Sequence, residues 1–374
     1  MRVLHVLHSM SFGGAEVLVH DFVRATQSEA QHAIVCLDSI GPLGESLRAD
    51  GVRVDVLGRT EGLQPEVALA MRRVLTEVRP DVVCAHQYTP YSYAAMAVPT
   101  VRPRPGLVFI EHGRHYPDTR RPKRVLANNL LFLRYTQRVI AVCGYIKALL
   151  VANEGIPADR IDVVYNGVDP TRFDPAAPAP PDPVETRASM GLRPEHQVVT
   201  CVARFHPVKD HPTLVRAFAR VAKTMPDARL ALVGGGDKAP LLNLVIELGI
   251  ADRVVFPGVR RDIPAVYAAS DLFAMSSKSE GTSVTLLEAM LSERPAVVTD
   301  VGGNPEIVDP GVTGLLTPRG DDAAMADALQ TLLGDPVRRR EMGARGRRRV
   351  LARFTQQQMH RQWLGLLQES VPRA

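Results

Sequence analysis

The sequence predicts an α/β protein of two similar domains, and three observations carry that expectation. Short β-rich runs alternate with longer helical patterns from one end of the chain to the other. At 374 residues the chain exceeds what one ordinary core encloses, and two domains of roughly 170–190 residues are the natural division. The stretch DPAAPAPPDP, from Asp174 to Pro183, breaks the alternation once. It cannot pair in a sheet and reads as an extended linker.

In the first half the expected strands are Val3–Leu7, Ala33–Leu37, Val52–Leu57, Val82–Ala85, Leu107–Glu111, Val139–Val142 and Ile161–Tyr165. Helical patterns fall between them, for example Ala15–Thr26 and Pro65–Val78. After the linker the alternation restarts with Val198–Ala203, Arg229–Val233, Val254–Pro257, Leu272–Met275 and Ala296–Thr299. From Asp322 onward the pattern is helical, with apolar positions continuing through Trp363 to Leu367. The expected architecture is two Rossmann-like domains facing across a cleft, with ligands bound beyond the carboxyl ends of the strands. Residues 1–175 form the first domain, 176–186 the linker and 187–356 the second domain.

Composition narrows the classes. With 45% hydrophobic and 23% charged residues the chain is of the soluble globular type. A formal charge of +5 is small for this size and gives no reason to expect nucleic acid. One basic cluster stands out: Arg114, Arg120, Arg121, Lys123, Arg124, Arg134 and Arg138, with Asp118 the only acid among them. It reads first as a solvated face, and otherwise as a site for a phosphate-bearing acceptor or an anionic membrane. Cys36, Cys84, Cys143 and Cys201 are widely spaced, mostly in apolar runs, and read as buried free thiols of a reducing compartment. No apolar run reaches the ~18–20 residues that span a bilayer. The start, MRVLHVLHSMSFGGAE, reads as a strand entering a glycine loop rather than as a signal peptide. A cytoplasmic protein, with peripheral contact at the inner face of an anionic membrane, is the expectation.

The chemistry concentrates in the second half. SEGTSVTLLEAM, Ser279 to Met290, sets Glu280 just before a helix start and Glu288 a turn or two inside it. Thr282 and Ser283 are suitable N-caps, and the backbone N–H groups there form an anion site. One carboxylate then accepts from sugar hydroxyls and the other from a ribose, with a diphosphate between. In CVARFHPVKDH, Cys201 to His211, Arg204 and Lys209 follow a strand directly and suit a diphosphate. Gly234 and Gly236 of LVGGGD shape a pocket floor or make a plain turn. Gly258 and Val259 end a strand where backbone groups can pair with a base edge. His86 ends another and faces an acceptor or packs in the core.

These segments, in this order, resemble retaining glycosyltransferases of family 4: Arg204 with Lys209, Gly234–Gly236, Pro257–Gly258, and Glu280–Gly281 through Glu288–Ala289–Met290. Arg294–Leu316 looks like that family's next strand and loop. Ser11–Glu16 and Asn166–Asp169 resemble its first-domain loop and interdomain segment, so the resemblance covers nearly the whole chain. It implies the GT-B fold, with the tail 357–374 packed back on the first domain. It also implies roles. Arg204 and Lys209 neutralise the donor diphosphate and stabilise the leaving nucleoside diphosphate. Glu288 takes the ribose hydroxyls and Glu280 those of the donor sugar. Gly281 and the backbone of Thr282, Ser283 and Val284 face phosphate or sugar. Gly13 and Gly14 let their loop approach the diphosphate, and His112 of IEHGRHYP lies near the transferring sugar.

The implied reaction moves a sugar from a nucleoside-diphosphate sugar to an acceptor hydroxyl with retention, the leaving phosphate serving as base, in cell-surface polysaccharide or glycolipid synthesis. The acceptor is a glycan or lipid-linked, with His86 and Arg114 the candidate contacts. The donor is a substrate and no cofactor is expected; a UDP-sugar is favoured over a GDP-sugar. No Asp-x-Asp occurs, and the cation pair reduces the need for a metal, so metal-independent transfer is expected. The chain departs from the family in Thr282-Ser-Val-Thr285 and in Cys143–Gly144. Rival readings are a nucleotide-sugar epimerase and a catalytically silent nucleotide-sugar-binding subunit. A dinucleotide dehydrogenase is disfavoured, because Ser9–Gly14 lacks the Gly-x-Gly-x-x-Gly spacing.

Overall fold

The computed structural model describes residues 1–60, 62, 64–113, 118–174 and 182–372. It divides into two compact units, Met1–Asn166 with Gln357–Ala374, and Gly167–Gln356.

The first unit is built on a seven-stranded sheet in the order β3-β2-β1-β4-β5-β6-β7. Its strands are β1 (Arg2–Ser9), β2 (Gln31–Ser39), β3 (Arg53–Val56), β4 (Val82–His86), β5 (Gly106–Glu111), β6 (Arg138–Ala141) and β7 (Ile161–Val163). Every pairing is parallel. Such a sheet is covered on both faces, which is why its strands read as near-continuous apolar runs. On one face Leu4, Val6, Val35 and Val83 join Met71, Val74 and Leu75 of the helix Pro65–Val78 in a single core. Against the other lie Phe22 of the helix Gly14–Ala25 and Trp363 of the helix Gln356–Glu369, both fully buried.

The second unit has six parallel strands in the order β10-β9-β8-β11-β12-β13. They are β8 (Gln197–Val202), β9 (Ala228–Val233), β10 (Val254–Gly258), β11 (Leu272–Met275), β12 (Ala296–Thr299) and β13 (Gly314–Thr317). Leu214 and Phe218 of the helix His211–Thr224 meet Leu329 and Leu333 of the helix Asp322–Gly334 in its core. Strand β13 was not expected as a strand. Only Leu315 and Leu316 are apolar in it, and its place comes from pairing with β12.

In each sheet the order reverses at one point, between β1 and β4 in the first and between β8 and β11 in the second. Loops leaving the carboxyl ends of the strands diverge there, which leaves room for a ligand.

The division of the chain differs from the expected one. It falls at Asn166/Gly167, not at residue 175, so that Asp174 belongs to the second unit. Hydrogen bonding sets this position: Val168 N donates to Phe354 O and Gln356 N to Val168 O. Arg347 then ties Asp174 to the second unit at 3.2 Å. Residues 176–181 of the expected linker lie outside the described residues. Its end is helical, because Asp182 Oδ1 caps Val184 N at 2.8 Å and Pro183 suits the first helical position. The four cysteines are buried and free, as expected.

Candidate functional site

The switch point between β8 and β11 gathers most of the expected donor residues of the second unit. The chain leaves β8 at Val202, places Arg204 on the surface and turns through Pro207–Lys209. Glycines of the next loop hold this segment. A Cβ at Gly234 would stand 2.0 Å from Ala203 O, and one at Gly236 2.8 Å from Phe205 O. Phe205 N donates to Gly235 O at 2.7 Å. The glycine run therefore seats the backbone that carries Arg204. The Arg204 guanidinium pairs with no carboxylate among the described residues.

Lys209 points at the segment after β11. Its Nζ lies 2.6 Å from Glu280 Oε1, and Ser277 Oγ donates to the same oxygen at 2.5 Å. Glu280 is 9% exposed in its side chain, so the pair is largely desolvated. The two loops are laced together at backbone level. Lys278 N donates to Val208 O at 2.8 Å, and Ser276 Oγ to Asp210 O at 2.7 Å. Gly302 backs the site at a φ of +59°, with Glu280 O only 2.0 Å from where its Cβ would be. Glu280 is thus engaged by a cation, a partnership that single-sequence spacing did not show. Gly281 follows it, half-buried.

The helix Val284–Leu291 begins as expected, with Ser283 at the N-cap, but the cap is not made by its side chain. The Ser283 hydroxyl turns to Met275 Sδ at 3.8 Å and to Thr285 Oγ1 at 3.4 Å. The first-turn N–H groups are left without a side-chain acceptor, the condition for receiving an anion. Thr282 and Ser283 are buried. Five residues into the helix, the Glu288 carboxylate has no hydrogen bond or ion pair among the described residues. Its side chain keeps a partial opening to solvent, yet burial of the carboxyl raises its pKa to about 7, against a smaller opposing pull from Arg172. Val259, beyond the tip of β10, is 77% exposed.

In the first unit, His112 follows β5 and connects to residues that the sequence reading did not link to it. His112 Nε2 lies 2.9 Å from His86 Nδ1, His86 Nε2 3.2 Å from His5 Nδ1, and His5 Nε2 3.1 Å from His32 Nδ1. His86 is 1% exposed and Trp363 lies over both it and His112, at 6.1 and 6.0 Å between ring centres. Of the two expected places for His86, facing an acceptor or packing in the core, the structure has the second: it is buried and hydrogen-bonded to His112. The signal available in sequence was a histidine inside an apolar strand, at His5 and again at His86. Gly13 is the N-cap of the helix Gly14–Ala25, and nothing lies within 4 Å of where a Gly14 Cβ would be. Arg114 lies outside the described residues.

A family description, "Glycosyltransferase Family 4", matches residues 12–172, and "Glycosyl transferases group 1" matches residues 196–335. The chain belongs to the family-4 glycosyltransferases. It is 41% identical over 206 residues to a D-inositol 3-phosphate glycosyltransferase of Nocardia farcinica, covering 52% of this chain and 45% of the relative. An N-acetyl-alpha-D-glucosaminyl L-malate synthase of Bacillus anthracis is 34% identical over 208 residues, covering 55% and 53% respectively. The chain thus spans about half the length of these curated relatives. Among solved structures, Anabaena Alr3699/HepE in complex with UDP and glucose superposes with a TM-score of 0.84 at 25% identity, over 98% of this chain and 99% of that one. The fold of this glycosyltransferase is GT-B, two parallel-sheet α/β domains. No helix among the described residues is long and apolar enough to cross a membrane.

Proposed function

We propose that this glycosyltransferase takes its sugar from a nucleoside-diphosphate sugar, with UDP the favoured nucleotide, and transfers it with retention and without a metal to an acceptor hydroxyl. The observation that carries the reading is the switch point of the second unit. Cations stand after β8, a helix start without a side-chain cap and two carboxylates after β11, and one carboxylate, Glu288, has no hydrogen bond or ion pair among the described residues. A half-buried carboxylate without a donor is costly unless a ligand supplies one, and vicinal ribose hydroxyls do so. Arg204 and Lys209 would meet the diphosphate and follow its charge onto the leaving group. The UDP complex of the Anabaena neighbour supports the choice of base.

Thermal denaturation with UDP-, GDP-, ADP- and TDP-sugars in EDTA tests the donor, and NMR of the product's anomeric proton tests retention. Stabilisation by one nucleotide sugar, lost in Lys209→Ala and Glu288→Ala, is expected. A well-folded protein that no nucleotide sugar stabilises would leave the silent-subunit reading in its place.

The acceptor side favours an anionic or lipid-linked glycan, made for a cell-surface polymer or glycolipid. Arg124 is already consumed by Glu154 at 3.2 Å and by the Tyr88 ring at 4.0 Å, and Arg138 by Asp162 and Glu369. Arg120 and Lys123 stay exposed, beside Leu126, Leu130 and Leu131 at 60%, 70% and 45% exposure. Lys123, Leu126 and Leu130 stand on the short helix Pro122–Leu130, with Arg120 before it and Leu131 after it; leucines and cations together are what an anionic membrane surface binds, and vesicle co-sedimentation checks it.

A further inference from the structure

Four histidines of the first unit, His32, His5, His86 and His112, form a chain with a single direction. Thr26 Oγ1 donates to Phe22 O at 2.7 Å, and a carbonyl only accepts. The same hydroxyl oxygen must then accept from His32 Nε2, 2.9 Å away. Burial draws the pKa of His32 down to about 4, so the ring is neutral and its Nδ1 is a bare lone pair. It accepts from His5 Nε2 at 3.1 Å. His5 is neutral for the same reason, and its Nδ1 accepts from His86 Nε2 at 3.2 Å. His86 Nδ1 in turn accepts from His112 Nε2 at 2.9 Å. Each histidine–histidine link crosses to the neighbouring strand, from β2 through β1 and β4 to the end of β5. The chain ends on His112 Nδ1, which is buried and has no partner among the described residues.

We infer that Thr26, His32, His5 and His86 are positioning residues, which hold His112 as a neutral imidazole with its proton on Nε2 and so make Nδ1 an obligate hydrogen-bond acceptor for a substrate hydroxyl bound at the first unit. That the hydroxyl belongs to a reacting sugar rests on the function proposed above. The assignment of the proton does not.

A metal is the competing use of these atoms. His5, Cys84 and His86 offer ligand atoms within 4.8 Å of one another, and Cys84 Sγ lies 3.6 Å from His86 Nε2. Binding an ion needs a thiolate and a deprotonated His86 Nε2. Burial pushes the Cys84 thiol well up, and the His86–His5 hydrogen bond would be lost. Among the described residues this group has three members and no fourth to close a tetrahedron. The hydrogen-bonded chain satisfies every ring nitrogen except the terminal one.

The test is long-range proton–nitrogen correlation NMR of ligand-free protein with 15N-labelled histidine at pH 7. Expected are four neutral rings, each protonated on Nε2. Thr26→Val removes the terminal acceptor and should move the His112 proton wholly or partly to Nδ1, while Thr26→Ser leaves the spectrum unchanged. In turnover assays Thr26→Val should lower kcat by about tenfold or more with little change in KM for the nucleotide sugar, since the lost interaction serves the reaction rather than binding. A wild-type His112 that is protonated on Nδ1 or charged would overturn the inference. So would a Thr26→Val spectrum identical to wild type, or one equivalent of zinc retained by the protein with perturbed His5 and His86 signals. The ligand-free spectrum decides the matter whether or not a nucleotide sugar binds, so a wrong donor assignment and a wrong tautomer assignment fail separately.

Discussion

Glu288→Gln separates the cost of a buried carboxylate from its use. Burial raises this carboxyl from 4.5 to about 7, with Arg172 opposing. Between those pH values the unfolded chain has released a proton that the folded protein still holds. Stability therefore falls as pH rises from about 4.5 through about 7, and levels off above it. Each tenfold change in proton affinity corresponds to about 1.4 kcal/mol, so charging Glu288 costs at most about 3 kcal/mol, less what its opening to solvent recovers. The glutamine has no such cost. Ligand-free Glu288→Gln should match wild type near pH 4 and exceed it at pH 8 by several degrees in Tm, at about 2–4 °C per kcal/mol for a unit of this size. Scanning calorimetry across pH 4.5–8 reads this directly. The same scans with UDP-glucose read the other side, since its diphosphate does not titrate in that window. Donor stabilisation of wild type should weaken below pH 7, where binding must first expel the Glu288 proton, and should be small in the variant at every pH. Parallel pH curves for the two ligand-free proteins would refute the burial argument. Equal stabilisation of both by UDP-glucose would remove Glu288 from the donor site.

Lys209→Ala leaves Glu280 mostly buried with Ser277 as its remaining side-chain donor; a loss of about 1–3 kcal/mol in denaturant unfolding is expected, together with loss of donor-induced stabilisation. Gly302→Ala places a methyl group where Glu280 O is 2.0 Å away, at a φ of +59°. It should destabilise by more than about 1 kcal/mol and weaken donor binding, whereas Gly320→Ala, at a φ of +75° with open space around it, should show the backbone cost alone. Leu126→Ser with Leu130→Ser should change stability by no more than about 0.5 kcal/mol, because both side chains are exposed, and should abolish co-sedimentation with anionic vesicles if that helix is the contact.

Most of the fold was legible because parallel strands covered on both faces appear as short apolar runs, and twelve of the thirteen strands were read from such runs and the alternation around them. The thirteenth, Gly314–Thr317, was not, and is made by its neighbour β12. The domain boundary was misread because a proline-rich stretch is locally conspicuous, while the real division is set by Val168 pairing with Phe354 and Gln356, nearly two hundred positions away. The candidate residues of the second unit were legible for a different reason. Its residues lie in two loops and a helix start whose local chemistry announces itself. What spacing does not show is which charges meet: that Lys209 holds Glu280, and that Glu288 has no hydrogen bond or ion pair among the described residues. The histidine chain was invisible for the same reason, since each link joins different strands, and only sheet order brings β2, β1, β4 and β5 side by side.

That order also decides which way the chain runs. The opposite set of tautomers would put a proton on His112 Nδ1, where no acceptor waits among the described residues. A buried N–H left unpaired costs about 1–3 kcal/mol, roughly a 5- to 150-fold preference against that state, whereas an unpaired lone pair is tolerated more easily. Reversal would also pull the Thr26 hydroxyl from Phe22 O to feed His32. Both faults lie at the ends, so the four rings choose together, and the low dielectric around them sharpens the choice. Trp363 and Phe22 keep it low: Trp363 stands over His86 and His112, and Phe22 stands edge-on to His5 and His32. A helix that begins nearly at the end of the chain thereby takes part in setting the proton of a residue that follows β5. A group that only accepts hydrogen bonds finds nothing at Nδ1, and a hydroxyl finds the one lone pair the chain leaves open.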